Sequence, residues 1–195
     1  MRGSLRSGLY VDRLRWQQEG LPPLRVSVNL SARQFAHESL LQDVTRVLNE
    51  TGLDPASLEF EITETAVMTD IEASRILLVD LASAGFRIAL DDFGTGYSSL
   101  GYLNKAVFHK LKIDGSFVRE AAKNKETVAI IQSIVQLAKS FRMSVTAEGV
   151  ETAEDFERMR DLGCDTIQGY LFGRPLAYER ANEMVLGLVS KRMAG

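Results

Sequence analysis

The sequence predicts a parallel α/β sheet curled into a (β/α) barrel, and three observations predict it. Six short apolar segments of strand length alternate with helical patterns along the 195 residues. Under the two-residue alternation of a strand, each segment has one apolar and one polar face. Six polar residues near the segments' C-terminal ends are 32, 30, 21, 36 and 20 residues apart, the lengths of βα units.

Met1-Arg2-Gly3-Ser4 resembles an expression-vector leader. From Leu5 to Glu19, the residues Leu9, Val11, Leu14 and Trp16 recur at helical spacing, and Gly20, Pro22 and Pro23 stop that helix. The strand segments are Arg25–Ser31, Leu58–Glu64, Arg87–Gly94, Phe108–Asp114, Ser144–Val150 and Thr166–Phe172. Helical patterns cover 38–51, 67–84, a short stretch near 98–104, 124–141, 153–162 and about 177–192. Gly52, Gly85 and Gly163 stand just past helix ends, where a C-terminal cap needs a left-handed residue. The whole chain reads as one domain.

Composition narrows the classes. Hydrophobic residues make up 45% and charged residues 25%, the balance of a chain that folds around a core. No stretch approaches the ~18 consecutive apolar residues of a membrane helix. The lone cysteine, Cys164, can form neither an internal disulfide nor a cysteine metal site, which fits a reducing, cytoplasmic setting. A net charge of −3 argues against binding to polymeric DNA or RNA and leaves a small nucleotide open.

The alternation places Val26, Val28, Leu30, Phe60, Ile62, Ile88, Leu90, Leu111, Ile113, Val145, Ala147, Ile167 and Leu171 on one face. Ser27, Asn29, Glu59, Glu61, Ala89, Asp91, Lys110, Lys112, Thr146, Glu148, Thr166 and Gln168 occupy the other. A sheet with one wet face would also alternate in this way, as antiparallel sheets do. The intervening helices favour a barrel whose lumen is polar at its C-terminal mouth, where barrel chemistry sits. Asn29, Glu61, Asp91 and the adjacent Asp92 are hard oxygen donors with no His or Cys among them, a set suited to Mg²⁺, Mn²⁺ or Ca²⁺. Lys112 offers a cation to a phosphate oxygen, and Glu148 a base for water. Together they point to metal-assisted phosphoester hydrolysis.

The strand ending in Asp91-Asp92 runs into Phe93-Gly94-Thr95-Gly96, a glycine-bearing loop at the mouth and a candidate lid. It fails as a dinucleotide fingerprint because Ser99 holds the third glycine position. Glu64 falls just beyond its strand, either holding the loop or flanking a helix start. Asp114 shares the parity of Lys112 and is a candidate partner for it. His37 and His109 read as surface or packing residues, and Cys164 as filler in a turn.

The motifs VNLSARQF, FEITE, LDDFGTGYSSLGYL, KLKIDGSFV, TAEGVET and IQGYLFGRPL, in this order and spacing, closely resemble the EAL domain of cyclic di-GMP phosphodiesterases. The resemblance runs from about Leu9 to Leu188. It implies a TIM-like barrel with one strand reversed, and hydrolysis of cyclic di-GMP to pGpG with one or two Mg²⁺ or Mn²⁺ ions. It implies Asn29, Glu61 and Asp91 as metal ligands and Asp92 as ligand of a second ion. By the same resemblance Lys112 positions water and phosphate, Glu148 is the general base, and Gln168 contacts the ligand or its surroundings. Glu64 anchors the DFGTG lid, and a homodimer forms near Ser98–Leu103. Regulatory domains in a longer protein are expected as well. The sequence contains no Glu-Ala-Leu motif. A complete barrel takes ~250 residues, so the expectation is a partial EAL domain over 1–195 that lacks its first two strands. A non-catalytic cyclic di-GMP sensor or an interaction module is the alternative.

Overall fold

The computed structural model describes residues 24–37, 39–94, 101–104 and 107–193. The expected helix at Leu5–Glu19 and the lid residues Thr95 and Gly96 lie outside them. Six strands form one sheet: β1 (Val26–Leu30), β2 (Leu58–Thr63), β3 (Arg87–Phe93), β4 (Lys110–Ile113), β5 (Ser144–Ala147) and β6 (Thr166–Ile167). Their order in the sheet is their order in the chain, and all five pairings are parallel. The reversed strand implied by the resemblance is therefore not among the described strands. The helices are α1 (Ala32–Phe35), α2 (Leu40–Thr51), α3 (Glu64–Met68), α4 (Ile71–Ser83), α5 (Gly115–Ala121), α6 (Lys125–Ser140), α7 (Ala153–Asp161) and α8 (Tyr178–Met193).

Parallel sheets need covering elements, and the apolar strand face receives them. Phe60, Ile62, Ile88, Leu90, Leu111, Ile113 and Val145 have no exposed surface. Burying each is worth ~1.5–3 kcal/mol. A one-residue slip would turn all of them to the other face, so this burial fixes the register more firmly than ladder hydrogen bonds worth about 1 kcal/mol each. α6 shows how a helix meets this face. Ile131, Ile134, Val135 and Ala138, at i, i+3, i+4 and i+7, are buried, and Asn124 caps its start by accepting from the Glu126 N–H (2.8 Å).

Local chemistry explains the departures from the sequence pattern. The pattern over 67–84 is two helices, because Asp70 accepts from the Ala73 N–H (3.0 Å) and starts α4 afresh. Ser31 opens the short α1 with a reciprocal Gln34 cap, and Asp114 opens α5; neither helix stood out from apolar spacing. Gly101–Asn104, the described part of the stretch near 98–104, is a turn. The expected strand 166–172 ends at Ile167. Beyond it the backbone turns onto the segment after β5. The Val150 N–H donates to the Gln168 carbonyl (3.1 Å), and the Leu171 N–H to the Val150 carbonyl (3.1 Å). Only glycine permits this approach, since a Cβ on Gly169 would lie 2.0 Å from the Val150 carbonyl oxygen. His109 sits below the rim, its Nδ1 accepting from the Ile88 N–H (3.2 Å), and Cys164 is a half-buried free thiol.

Candidate active site at the C-terminal rim

Register aligns the polar face. Asn29 lies beside Glu61, Thr63 beside Asp91, and Lys112 beside Thr146. Lys112, 3% exposed, is the hub. Its Nζ lies 2.6 Å from Glu61 Oε2, 2.7 Å from Glu148 Oε1 and 3.2 Å from Asp91 Oδ2. Burial alone would depress this ammonium's pKa. The hydrogen bonds to Glu148 and Glu61, with their charges, outweigh burial and hold it above the ordinary lysine value. The group is a fixed cation at every physiological pH.

Asp91 and Asp92 owe their joint presence to a β-bulge. Leu90 pairs with Leu111, but the next partners are Phe93 and Ile113, so two residues on β3 face one on β4. Asp92 takes the left-handed conformation (φ 55°), and its N–H donates to Asp91 Oδ1 (3.0 Å). Strict alternation would send Asp92 to the helix side; the bulge returns it to the rim. One ligand atom from each of Asp91, Asp92 and Glu148 lies within 4.8 Å of the others. Burial, reinforced by the neighbouring charges of Asp91 and Asp114, raises the Asp92 pKa, with Lys112 opposing. Burial likewise raises Glu148; the Lys112 hydrogen bond and charge lower it, and Asp91 and Glu61 raise it further. Crowded oxygens whose ionisation is penalised in this way are a donor set that a hard divalent cation would relieve.

Glu64 is the first residue of α3 and is buried. Its Oε2 accepts from the Gly94 N–H (3.3 Å) and its Oε1 from the Tyr102 hydroxyl (3.4 Å). Glu64 thus links Gly94, just past β3, to Tyr102. Phe93 itself is buried, and Tyr102 meets Phe108 edge-on with ring centres 6.3 Å apart. Asn29 is exposed on β1 and Gln168 just past β6.

The expected partnership of Asp114 with Lys112 does not form. Asp114 caps α5, accepting from the Ser116 N–H (2.9 Å) and hydroxyl, which lowers its pKa. Its negative charge still reaches Asp92. A lower tier escaped the sequence reading. Fully buried Glu59 contacts Lys110, accepts from the Ser27 hydroxyl (3.3 Å) and lies 3.7 Å from Arg87 Nε. The signal was present, since Glu59 and Glu61 share parity, as do Lys110 and Lys112.

The family profile described as EAL domain matches residues 5–175. The bifunctional diguanylate cyclase/cyclic di-GMP phosphodiesterase MucR of Pseudomonas aeruginosa is 42% identical over 165 residues, which span 85% of this chain and 24% of that protein. This chain thus corresponds to about a quarter of that relative. Among solved structures, the PaMucR phosphodiesterase in complex with c-di-GMP superposes with a TM-score of 0.84 at 40% identity, covering 88% of this chain and 70% of that one. The manganese/cy-diGMP complex of Klebsiella pneumoniae BlrP1 gives a TM-score of 0.75 at 31% identity, covering 87% and 45%.

Proposed function

We propose that this chain, which belongs to the EAL domain family, is a metal-dependent cyclic di-GMP phosphodiesterase domain releasing pGpG. The observation that carries the reading is the convergence of Glu61, Asp91 and Glu148 on the buried Lys112 amine, with Asp92 brought in by the bulge. Three carboxylates around one cation leave net negative charge, a setting for a hard metal and a phosphodiester rather than for a bare anion.

In this reading Asp91 and Asp92 hold the metal, with Glu61 and the neighbouring Asn29 adding oxygen donors. The ion is Mg²⁺ or Mn²⁺, singly or as a pair, and when bound it supplies Lewis acidity and a water of lowered pKa. Water adds to phosphorus, the P–O3′ bond breaks, and the 3′ oxygen leaves with a proton. Glu148 receives the water's proton, its carboxylate held in place by Lys112 at 2.7 Å. Lys112 holds Glu148 and Glu61 in place and offers positive charge to the phosphate. Glu64 tethers the DFGTG lid through Gly94 and Tyr102. Gln168 and Asp114 frame the substrate from the rim. The domain works in the cytoplasm as a homodimer, joined to regulatory domains in a longer protein. A cyclic di-GMP sensor that binds without cutting is the second reading, favoured by the three carboxylates that already engage Lys112.

The test measures pGpG release with Mn²⁺ for the parent, Glu61→Gln and Glu148→Gln, alongside cyclic di-GMP binding by calorimetry. Release by the parent and its loss in both variants supports hydrolysis. Binding without release in every case supports the sensor. Neither binding nor release sinks both readings.

A further inference from the structure

The lumen-facing column of β3 reads Arg87, Ala89, Asp91: a long cation, a methyl group and a carboxylate. β3 lies between β2 and β4, yet the ion pairs here join β2 directly to β4. Lys112 reaches Glu61 at 2.6 Å, and Lys110 contacts Glu59 one tier below. Strands two places apart in a sheet are roughly 9.6 Å apart, twice the ordinary spacing. A pair spanning that gap must lay its stems flat over the strand between. The register sets Ala89 beside Glu61 on one side and Lys110 on the other, at the crossing point. Although Ala89 faces the lumen, it has no exposed surface.

From this geometry we infer that Ala89 is a positioning residue: its single methyl group is the gap through which the Glu61–Lys112 and Glu59–Lys110 pairs bridge over β3. A branched side chain at 89 would stand where the stems lie. Lys112 would then withdraw from Glu61, and the lower pair would open as well. Serine or glycine leaves the gap. Only the catalytic consequence rests on the proposed phosphodiesterase function; the bridging itself does not.

The experiment separates this role from simple stability, because strand propensity and gap size run in opposite directions. Valine favours strands, whereas glycine in a strand weakens them. Ala89→Val, Ala89→Ser and Ala89→Gly would be labelled with acetic anhydride, with the exposed Lys123, Lys125 and Lys139 as internal references. Labelling of the half-buried Cys164 thiol reports global opening. In the parent Lys112 is protected. In Ala89→Val, Lys112 labelling should rise roughly tenfold or more, the factor expected for losing a charge-assisted hydrogen bond, with Cys164 unchanged. Ala89→Ser should match the parent, and Ala89→Gly should lower Tm while keeping Lys112 protected. Unaltered protection in a folded Ala89→Val overturns the inference, as does lost protection in Ala89→Gly. If Ala89→Val fails to fold, Ala89→Gly decides alone. The pGpG assay on the same variants tests the phosphodiesterase reading separately: if the parent releases none, that reading falls while the labelling result stands.

Discussion

The middle of the lumen and its edges are built differently. Glu61, Asp91 and Lys112, on β2 to β4, are between 3% and 8% exposed, and each ion pair draws its partner from another strand. On the outer strands Asn29 and Thr166 are exposed, and past β6 Gln168 is exposed and Tyr170 and Phe172 are about half exposed. A strand with neighbours on both sides can hide a charge, because a lysine on the next strand (Asp91–Lys112) or two strands away (Glu61–Lys112) reaches it. The first and last of the described strands have a neighbour on one side only and carry no charge on this face. Charge burial in this sheet is therefore a property of position in the strand order as much as of residue type.

The sharpest way to break that contrast is to remove the central cation. Lys112→Met leaves Glu61, Asp91 and Glu148 crowded without compensation, and urea unfolding should show a loss of ~3–5 kcal/mol. Asn29→Ala and Gln168→Ala, at the exposed edges, should stay within about 0.5 kcal/mol of the parent. Similar losses at all three positions would erase the distinction.

A smaller effect sharpens it, because the tolerance of the edge stops at the backbone. A methyl group at Gly169 would meet the Val150 backbone at 2.0 Å and 2.3 Å, so Gly169→Ala should cost ~1–3 kcal/mol. Gly187→Ala, in open space on α8, should be neutral or stabilising by up to ~1 kcal/mol. The pair of unfolding curves checks both.

The smallest effect concerns Asp92, whose pKa is raised by burial first and by neighbouring carboxylates second. Between the ordinary aspartate value and the raised one, the folded chain keeps a proton that the unfolded chain has released. Stability contributed by that group therefore falls as pH rises through this interval. Asp92→Asn removes the penalty and keeps the left-handed backbone, which asparagine tolerates. In metal-free buffer its Tm should match the parent at acidic pH and exceed it at neutral pH. A gain of 1 kcal/mol would appear as roughly 2–4 °C in a chain of this size. A gain independent of pH would show that charge crowding is not the cause.

Much of this was legible in the sequence, because period-two alternation is rigid. Glu61, Lys112 and Glu148 shared a face on paper and share one in space. Glu64, Asp92 and Asp114 were harder. Glu64 leaves the alternation at a helix start, where its carboxylate turns to Gly94 and Tyr102. Asp92 reaches the rim only through a bulge, and no apolar period encodes a bulge. Asp114 had the parity of a lumen residue, but a nearby orphan N–H competed for it and a helix cap won. The strand expected through Phe172 stopped at Ile167 because Gly169 allowed a tighter backbone contact than a ladder offers.

The bulge also changes how densely a strand can supply donors. A regular strand presents one side chain to a given side for every two residues, about one per 6.6 Å of rise. By admitting an extra residue between Leu90 and Phe93, β3 delivers consecutive carboxylates to the same spot. One strand thereby places two carboxylates where a regular strand would place one. The arrangement depends on a single φ of 55° at Asp92, which a β-branched residue would resist. Asp92→Val would therefore remove a carboxylate and, by straightening the chain, re-aim its neighbour as well.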